Sequence, residues 1–138
     1  PYLWAIEFKG FVFKPITMTE KYEIIIETER LTLRKVTLDD MPEFFKMEST
    51  PEVNKYTGEQ VSPSIEDLEA KIKESILKDY KEVGFGRLAV IEKWSGSFIG
   101  CAGLKYLPKF DQVDLGYRFM PQYWGKGYGT ESSRALLQ

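Results

Sequence analysis

The chain of 138 residues contains no histidine. That absence excludes a Ser-His-Asp or Cys-His catalytic pair and argues against a zinc site, so no metal is expected. Any proton transfer must fall to a carboxylate, a tyrosine, a lysine, the lone thiol or water. The single cysteine, Cys101, excludes an internal disulfide and fits a reducing cytoplasm. No apolar run is long enough to span a bilayer, and there is no signal-peptide pattern, so no membrane partner is expected. The formal net charge of −2 shows no basic excess, so no nucleic-acid surface is expected. The length fits one domain with a real core.

Periodicity organises the rest. Leu3 to Phe13 is apolar and aromatic with partial alternation, and Pro15 ends it. Residues 1–17 read either as an extension carrying a strand or as leader residues ahead of a natural-looking start at Met18. Ile24–Ile26 and Leu31–Val36 read as a strand pair or as one long bent strand. Thr37 is positioned to cap a helix, with Asp40 at the reciprocal position of a capping box. That helix carries Met41, Phe44, Phe45 and Met47 at core spacing. Residues 54–63 read as a polar loop. Ser64 caps a second helix whose apolar face is Ile65, Leu68, Ile72, Ile76, Leu77 and Tyr80. After Gly84 the period changes to two, predicting strands over 85–91, 97–104 and 111–120 with a turn at 93–96. Strands in a meander with helices on the sheet faces make the expected class α+β, mainly antiparallel.

The most informative stretch is Trp124-Gly125-Lys126-Gly127-Tyr128-Gly129-Thr130-Glu131. It follows an alternating strand and leads into a helix-like run, Ser132 to Leu137. Strand, glycine-rich turn and helix start form the layout of a phosphate cradle. Glycines allow close backbone approach, and the helix's first N–H groups and dipole favour an anion. A nucleotide-binding P-loop is excluded because Lys126 precedes Gly127 and Tyr128 follows it. The spacing Gly-x-Gly-x-Gly also departs from a dinucleotide fingerprint. A tight turn with no ligand remains open on spacing alone.

The run from Pro121 through Tyr123 and Trp124 to Glu131 closely resembles the acetyl-CoA motif of the GNAT N-acetyltransferases. It looks most like the branch that acetylates N-terminal alanine or serine of ribosomal proteins. Trp124 stands where the wider family has Arg or Gln, and Gly127 and Gly129 occupy the two small positions. Upstream, Thr28-Glu29-Arg30-Leu31-Thr32-Leu33-Arg34, the Gly96–Leu104 segment and Val113-Asp114-Leu115-Gly116-Tyr117 resemble the first, third and fourth strands of that family. The resemblance covers residues 24–138, so residues 18–138 are expected to be the N-terminal and central part of such a domain.

The resemblance implies acetyl-CoA as co-substrate, with a primary amine, such as a protein N-terminus, as acceptor. It places the pyrophosphate at Trp124, Gly125, Lys126, Gly127, Tyr128, Gly129 and Thr130. It lays the pantetheine arm along the last strand, near the amides of Arg118, Phe119 and Met120, in the manner of a bound peptide. Asp114 is the first candidate for general base; it could equally be a strand carboxylate paired with Arg118 four residues later. Glu131 is the second candidate carboxylate, or a cap residue complementing the helix dipole. Lys126 reads as a phosphate contact or as a solvated surface lysine. Cys101 reads as a small core residue rather than a nucleophile.

Relatives of this kind continue past this helix, so the chain reads as truncated after the cradle. Three functions follow: an acetyl-CoA-dependent N-acetyltransferase, a non-catalytic acyl-CoA-binding or interaction module, or a fragment completed by a second chain. The open edge of the last strand makes a homodimer the first-ranked expectation, with residues 3–13 inserted beside it as the second.

Overall fold

The computed structural model describes residues 6–8, 11–13, 22–58 and 60–138. The candidate start at Met18 lies outside them. Strands β1 (Ile6–Phe8) and β2 (Phe11–Phe13) pair antiparallel in a two-stranded sheet of their own. The expected insertion of residues 3–13 beside the last strand is therefore not what their described parts do: β1 and β2 pair with each other.

The main sheet has five strands in sequential antiparallel order: β3 (Ile24–Glu27), β4 (Leu31–Lys35), β5 (Arg87–Glu92), β6 (Phe98–Leu107) and β7 (Gln112–Phe119). The α+β expectation holds, and the choice at residues 24–36 resolves as a strand pair turning at 28–30. Period-two alternation divides the apolar residues between two cores. Val36, Ala89 and Cys101 face one side with Met41, Phe44, Met47, Leu68 and Ile72. Leu31, Leu33, Leu88, Val90, Ile99, Ala102 and Phe119 face the other side with Tyr128.

Helices between β4 and β5 cover the first face. The chain leaves β4 through a single turn at Leu38–Asp40 into α1 (Met41–Glu48). The reciprocal half of the expected capping box is present, with the Thr37 amide donating to Asp40 Oδ2 at 2.9 Å. Asp40 is buried and also takes a two-pronged contact from Arg34, at 2.9 and 2.7 Å.

Two expectations need correction here. The loop read over 54–63 begins later, because α2 spans Pro51–Thr57. Pro51 sits at its first turn, where a missing N–H costs nothing, and Gly58 ends it in the left-handed region at φ +66°. The second helix is interrupted: α3 (Ile65–Ile72) passes through a widened π turn at Lys73–Leu77 into α4 (Lys78–Glu82). The Ser75 hydroxyl donates back to the Lys71 carbonyl at 2.7 Å beside that turn. Ser64 caps α3 as expected, accepting from the Asp67 amide at 3.1 Å.

The Tyr80 hydroxyl accepts from the Val36 amide at 3.0 Å and donates to the Arg87 carbonyl, joining α4 to β4 and β5. Burial pushes its pKa up. After β7 a short turn at Pro121–Tyr123 leads through the glycine segment into α5 (Tyr128–Leu136), which packs on the second face.

Candidate functional site

The glycine turn is built by two left-handed residues, Gly125 at φ +74° and Gly127 at φ +82°. Only glycine enters that region without steric cost. The first backbone bond across α5 runs from the Glu131 amide to the Gly127 carbonyl at 3.0 Å. The amides of Tyr128, Gly129 and Thr130 therefore have no acceptor within the helix, as in the first turn of any helix. Gly129 is needed for another reason: a Cβ there would lie 2.9 Å from the Tyr117 ring. Its small size lets the helix start approach β7.

A pocket of about 480 Å³ opens at this turn, lined by Tyr117, Arg118, Phe119, Trp124, Gly125, Gly127, Tyr128, Gly129 and Thr130, with Val53 and Tyr123 completing it. All but two of the ten expected cofactor-binding residues line it. Met120 is buried in the helix-side core. Lys126 is exposed, its Nζ 5.7 Å from the centre of the Tyr123 ring.

The strand edge sorts the amides expected to meet a pantetheine arm. Met120 N–H donates to the Ile99 carbonyl at 2.9 Å. The Arg118 carbonyl lies against Gly100, on the β6 side. Antiparallel alternation then turns the Phe119 and Tyr117 backbone groups outward, and those of Arg118 and Met120 inward. Of the three amides predicted, Phe119's faces the open edge and the other two are committed to β6. Trp124 uses its indole N–H on the Phe119 carbonyl, at 2.8 Å.

The structure also reassigns the tyrosine of the turn. Tyr128 is buried, and its hydroxyl donates to Glu92 Oε2 at 2.5 Å. Glu92 is itself buried and accepts from the Ser95 hydroxyl at 2.7 Å. Burial opposes ionisation of Glu92, but the hydrogen bonds led by Tyr128 outweigh it and hold its pKa down. The same bond, helped by burial, raises the pKa of Tyr128. Tyr128 lines the pocket, but its hydroxyl is engaged by Glu92 and fastens α5 to β5.

Both candidate carboxylates are held by residues distant in sequence. Asp114 pairs with Arg87 at 2.9 Å, not with Arg118. Arg87 sits on β5, two strands away, and reaches across because Gly103 and Gly116 oppose each other on β6 and β7. A Cβ on Gly116 would lie 2.1 Å from the guanidinium. Glu131 is held by the β3–β4 turn: Thr28 Oγ1 donates at 2.6 Å, the Arg30 amide at 2.9 Å and Arg30 Nε at 2.7 Å. Burial disfavours its charge, but those donors, Thr28 first, prevail and its pKa falls below the ordinary value. Glu131 lines neither this pocket nor the next.

A larger pocket of about 870 Å³ lies on the helix side of β7. Phe44, Ser62, Lys71, Ser75 and Ile76 form one wall, and Arg87, Cys101, Lys105 and Gly116 form the other. Cys101 is a buried core residue, as expected, that also reaches this wall. The two pockets share Tyr117 and Arg118, so they meet at the C-terminal half of β7. Among the described residues no group of acidic, cysteine or histidine side chains could hold a metal ion. No described helix is long and apolar enough to cross a membrane.

The model of the acetyltransferase (GNAT) domain matches residues 30–138. An uncharacterized N-acetyltransferase of Bacillus licheniformis is 30% identical over 112 residues, covering 80% of this chain and 62% of the relative. The crystal structure of a GNAT-family acetyltransferase from Bacillus anthracis superposes with a TM-score of 0.64 at 27% identity, covering 81% of this chain and 63% of that one. A Vibrio cholerae protein named as a ribosomal-protein-serine acetyltransferase shares the fold, with a TM-score of 0.64 at 24% identity over 81% of this chain and 63% of its own. The chain thus spans about three fifths of the length of the relatives it matches. With one continuous match from Arg30 to the last residue, carried by the sheet and the glycine cradle described above, the chain belongs to the GNAT acetyltransferase domain family.

Proposed function

We propose that this chain forms the acetyl-CoA cradle and one side of the acceptor site of an N-acetyltransferase. The observation that carries the reading is the meeting of the two pockets at Tyr117 and Arg118, with the glycine cradle at the far end of the smaller one. The left-handed glycines and unpaired amides of the first turn of α5 suit a pyrophosphate, which needs backbone donors and no metal. The outward Phe119 and Tyr117 amides suit a peptide-like arm lying along β7.

Acetyl-CoA supplies an activated acyl group. The residues of the chain hold it, orient the amine and accept a proton, while the amine nitrogen bonds to the acyl carbon, the C–S bond breaks and the CoA thiolate leaves to take a proton from solvent. An amine near neutral pH is largely protonated and must lose a proton before it attacks. Asp114, on the same strand as the junction but lining neither pocket, takes that proton through a water. Arg87 fixes the orientation of its carboxylate. The Phe119 N–H is the amide at the junction that faces the open edge and serves as donor to the developing oxyanion. Glu131, with its oxygens engaged by Thr28 and Arg30, acts as a positioning residue for the cradle.

The acceptor is a primary amine, and a protein N-terminus fits a pocket of this size opening on the sheet face. The name of the Vibrio cholerae relative of this fold points the same way. A thermal-shift measurement with acetyl-CoA, CoA and NAD tests the reading. Ligands of the native state raise the melting temperature by mass action. CoA species should raise it and NAD should not; no CoA shift, or an equal NAD shift, removes the reading.

A further inference from the structure

We propose that Tyr117 is a cofactor-binding residue whose hydroxyl, from the strand side, adds one side-chain donor to the backbone donors facing the pyrophosphate of acetyl-CoA. This rests on the reading that the start of α5 is the acetyl-CoA cradle.

Alternation along β7 puts Tyr117 on the same sheet face as Phe119, the face on which α5 packs. The two rings lie 5.6 Å apart at a tilt of 35°. Phe119 is buried, so it forms a fixed wall for the Tyr117 ring. The helix start forms the other wall. A Cβ on Gly129 would lie 2.9 Å from Cε2 and Cζ of Tyr117 and 3.2 Å from its hydroxyl oxygen. The atoms nearest Gly129 are thus the polar end of the ring. In a helix the Cα–Cβ bond tilts toward the N-terminus. The hydroxyl therefore stands at the entrance of the first turn of α5, beside the amides of Tyr128, Gly129 and Thr130.

Tyr117 lines the smaller pocket with Gly127, Gly129 and Thr130, and it also borders the larger one. At 58% exposure its hydroxyl can take an anionic oxygen in place of a water without the cost of desolvating a buried group. A phenol has one O–H to donate, and a bond to a charged oxygen is stronger than one to a neutral oxygen. The ring is held between Phe119 and Gly129 before any ligand arrives, so little rotamer freedom is lost on binding. The glycine at 129 therefore brings backbone donors and a phenol to one point. Phenylalanine at 117 would keep both walls of the ring and lose only the donor, which makes the role of the hydroxyl separable from that of the ring.

The test titrates the full chain with CoA by calorimetry and with pantetheine, which lacks the pyrophosphate, by NMR. Tyr117→Phe should bind CoA about tenfold more weakly than the parent, the effect of one hydrogen bond to a charged oxygen. It should bind pantetheine as the parent does. Tyr117→Ala should lose at least as much affinity for CoA. Should Tyr117→Ala fail to fold, Tyr117→Phe decides alone, because it keeps the ring. Parent-like CoA binding by Tyr117→Phe overturns the proposal. So does an equal loss for CoA and pantetheine, which would put the contact on the arm. Tighter CoA binding by Tyr117→Ala would show the ring standing in the way of the anion and overturns it as well. Failure of the parent to bind CoA overturns the cradle reading with it. CoA binding by the parent that is unchanged in Tyr117→Phe overturns this inference alone.

Discussion

Glu131 in the first turn of α5 and Arg30 in the β3–β4 turn are joined twice, by Arg30 Nε at 2.7 Å and by the Arg30 amide at 2.9 Å. The contact ties the first turn of α5 to the β3–β4 turn. It also places an acid near the positive end of the α5 dipole. The Arg30 guanidinium lies 4.4 Å from the centre of the Tyr128 ring, so one arginine braces both residues of the turn.

Glu131→Gln should therefore lower the melting temperature by about 3–5 °C, the shift that one ordinary hydrogen-bonded contact gives in a domain of this size. The pH dependence has a definite sign. The folded-state pKa of Glu131 lies below its unfolded value, so its contribution is present above the unfolded value and is lost as pH falls through the folded one. Melting curves from pH 7 down to pH 3 check this. The parent should lose stability faster than Glu131→Gln below about pH 4.5, the ordinary range for a carboxylate. Parallel curves would show that the contact contributes nothing.

Tyr128→Phe removes the only donor to Glu92 Oε2 that comes from α5. The carboxylate stays buried beside Ser95 with one oxygen deprived of its partner. Leaving such a group unsatisfied costs about 1–3 kcal/mol. Urea denaturation should show that loss as a lower midpoint with an unchanged slope. Affinity for CoA, measured by calorimetry on folded protein, should change less than stability does. A large loss of affinity with unchanged stability would return the Tyr128 hydroxyl to the ligand site.

Local signals carried the parts of the site that depend on neighbours in sequence. The alternation of β5–β7, the Ser64 cap and the glycine turn each follow from residues within a few positions of one another. The readings that changed depend on distant partners. Glu131 looks like a free cap residue until a turn 101 residues earlier supplies its donors. Asp114 has Arg118 on its own strand face, yet the cation that reaches it comes from β5, because two glycines on different strands happen to oppose each other. Arg87 carried no motif, and its single local signal was a cation opening an otherwise apolar strand. For α2 a signal was present and outweighed: Thr50 and Pro51 form a helix start, but the polar composition that follows reads as loop. The inward and outward amides of β7 require the β6 register, which alternation in one strand does not provide.

On the proposed reading, in which Asp114 is the base, Asp114→Asn should reduce turnover by about 10²-fold or more, the range for loss of a general base. Its effect on CoA affinity should be small, since Asp114 lines neither pocket. The loss should be greatest at low pH, where more of the acceptor amine is protonated. Rates over pH 6–9 with saturating acetyl-CoA check this. A variant whose profile matches the parent across that range would leave Asp114 as the carboxylate that orients Arg87 and no more.

Gly127→Ala isolates the cradle from bulk effects. At φ +82° the position is strained for any residue with a Cβ, and the added carbon would stand 3.4 Å from the Arg30 guanidinium. That contact is close to ordinary, so the cost arises from the backbone, which must either store the strain or turn the first amides of α5 away. The fold on both sides is secured independently, by Glu131 to Thr28 and Arg30 and by Tyr128 to Glu92. The substitution should therefore leave a folded protein whose CoA affinity falls by about tenfold, or 1.4 kcal/mol. Gly127→Val should weaken binding further, because two more methyl groups would crowd the anion. Calorimetric titration with CoA, beside far-ultraviolet circular dichroism, separates the outcomes. Binding equal to the parent's in both variants would place the pyrophosphate elsewhere and take the cradle out of the site.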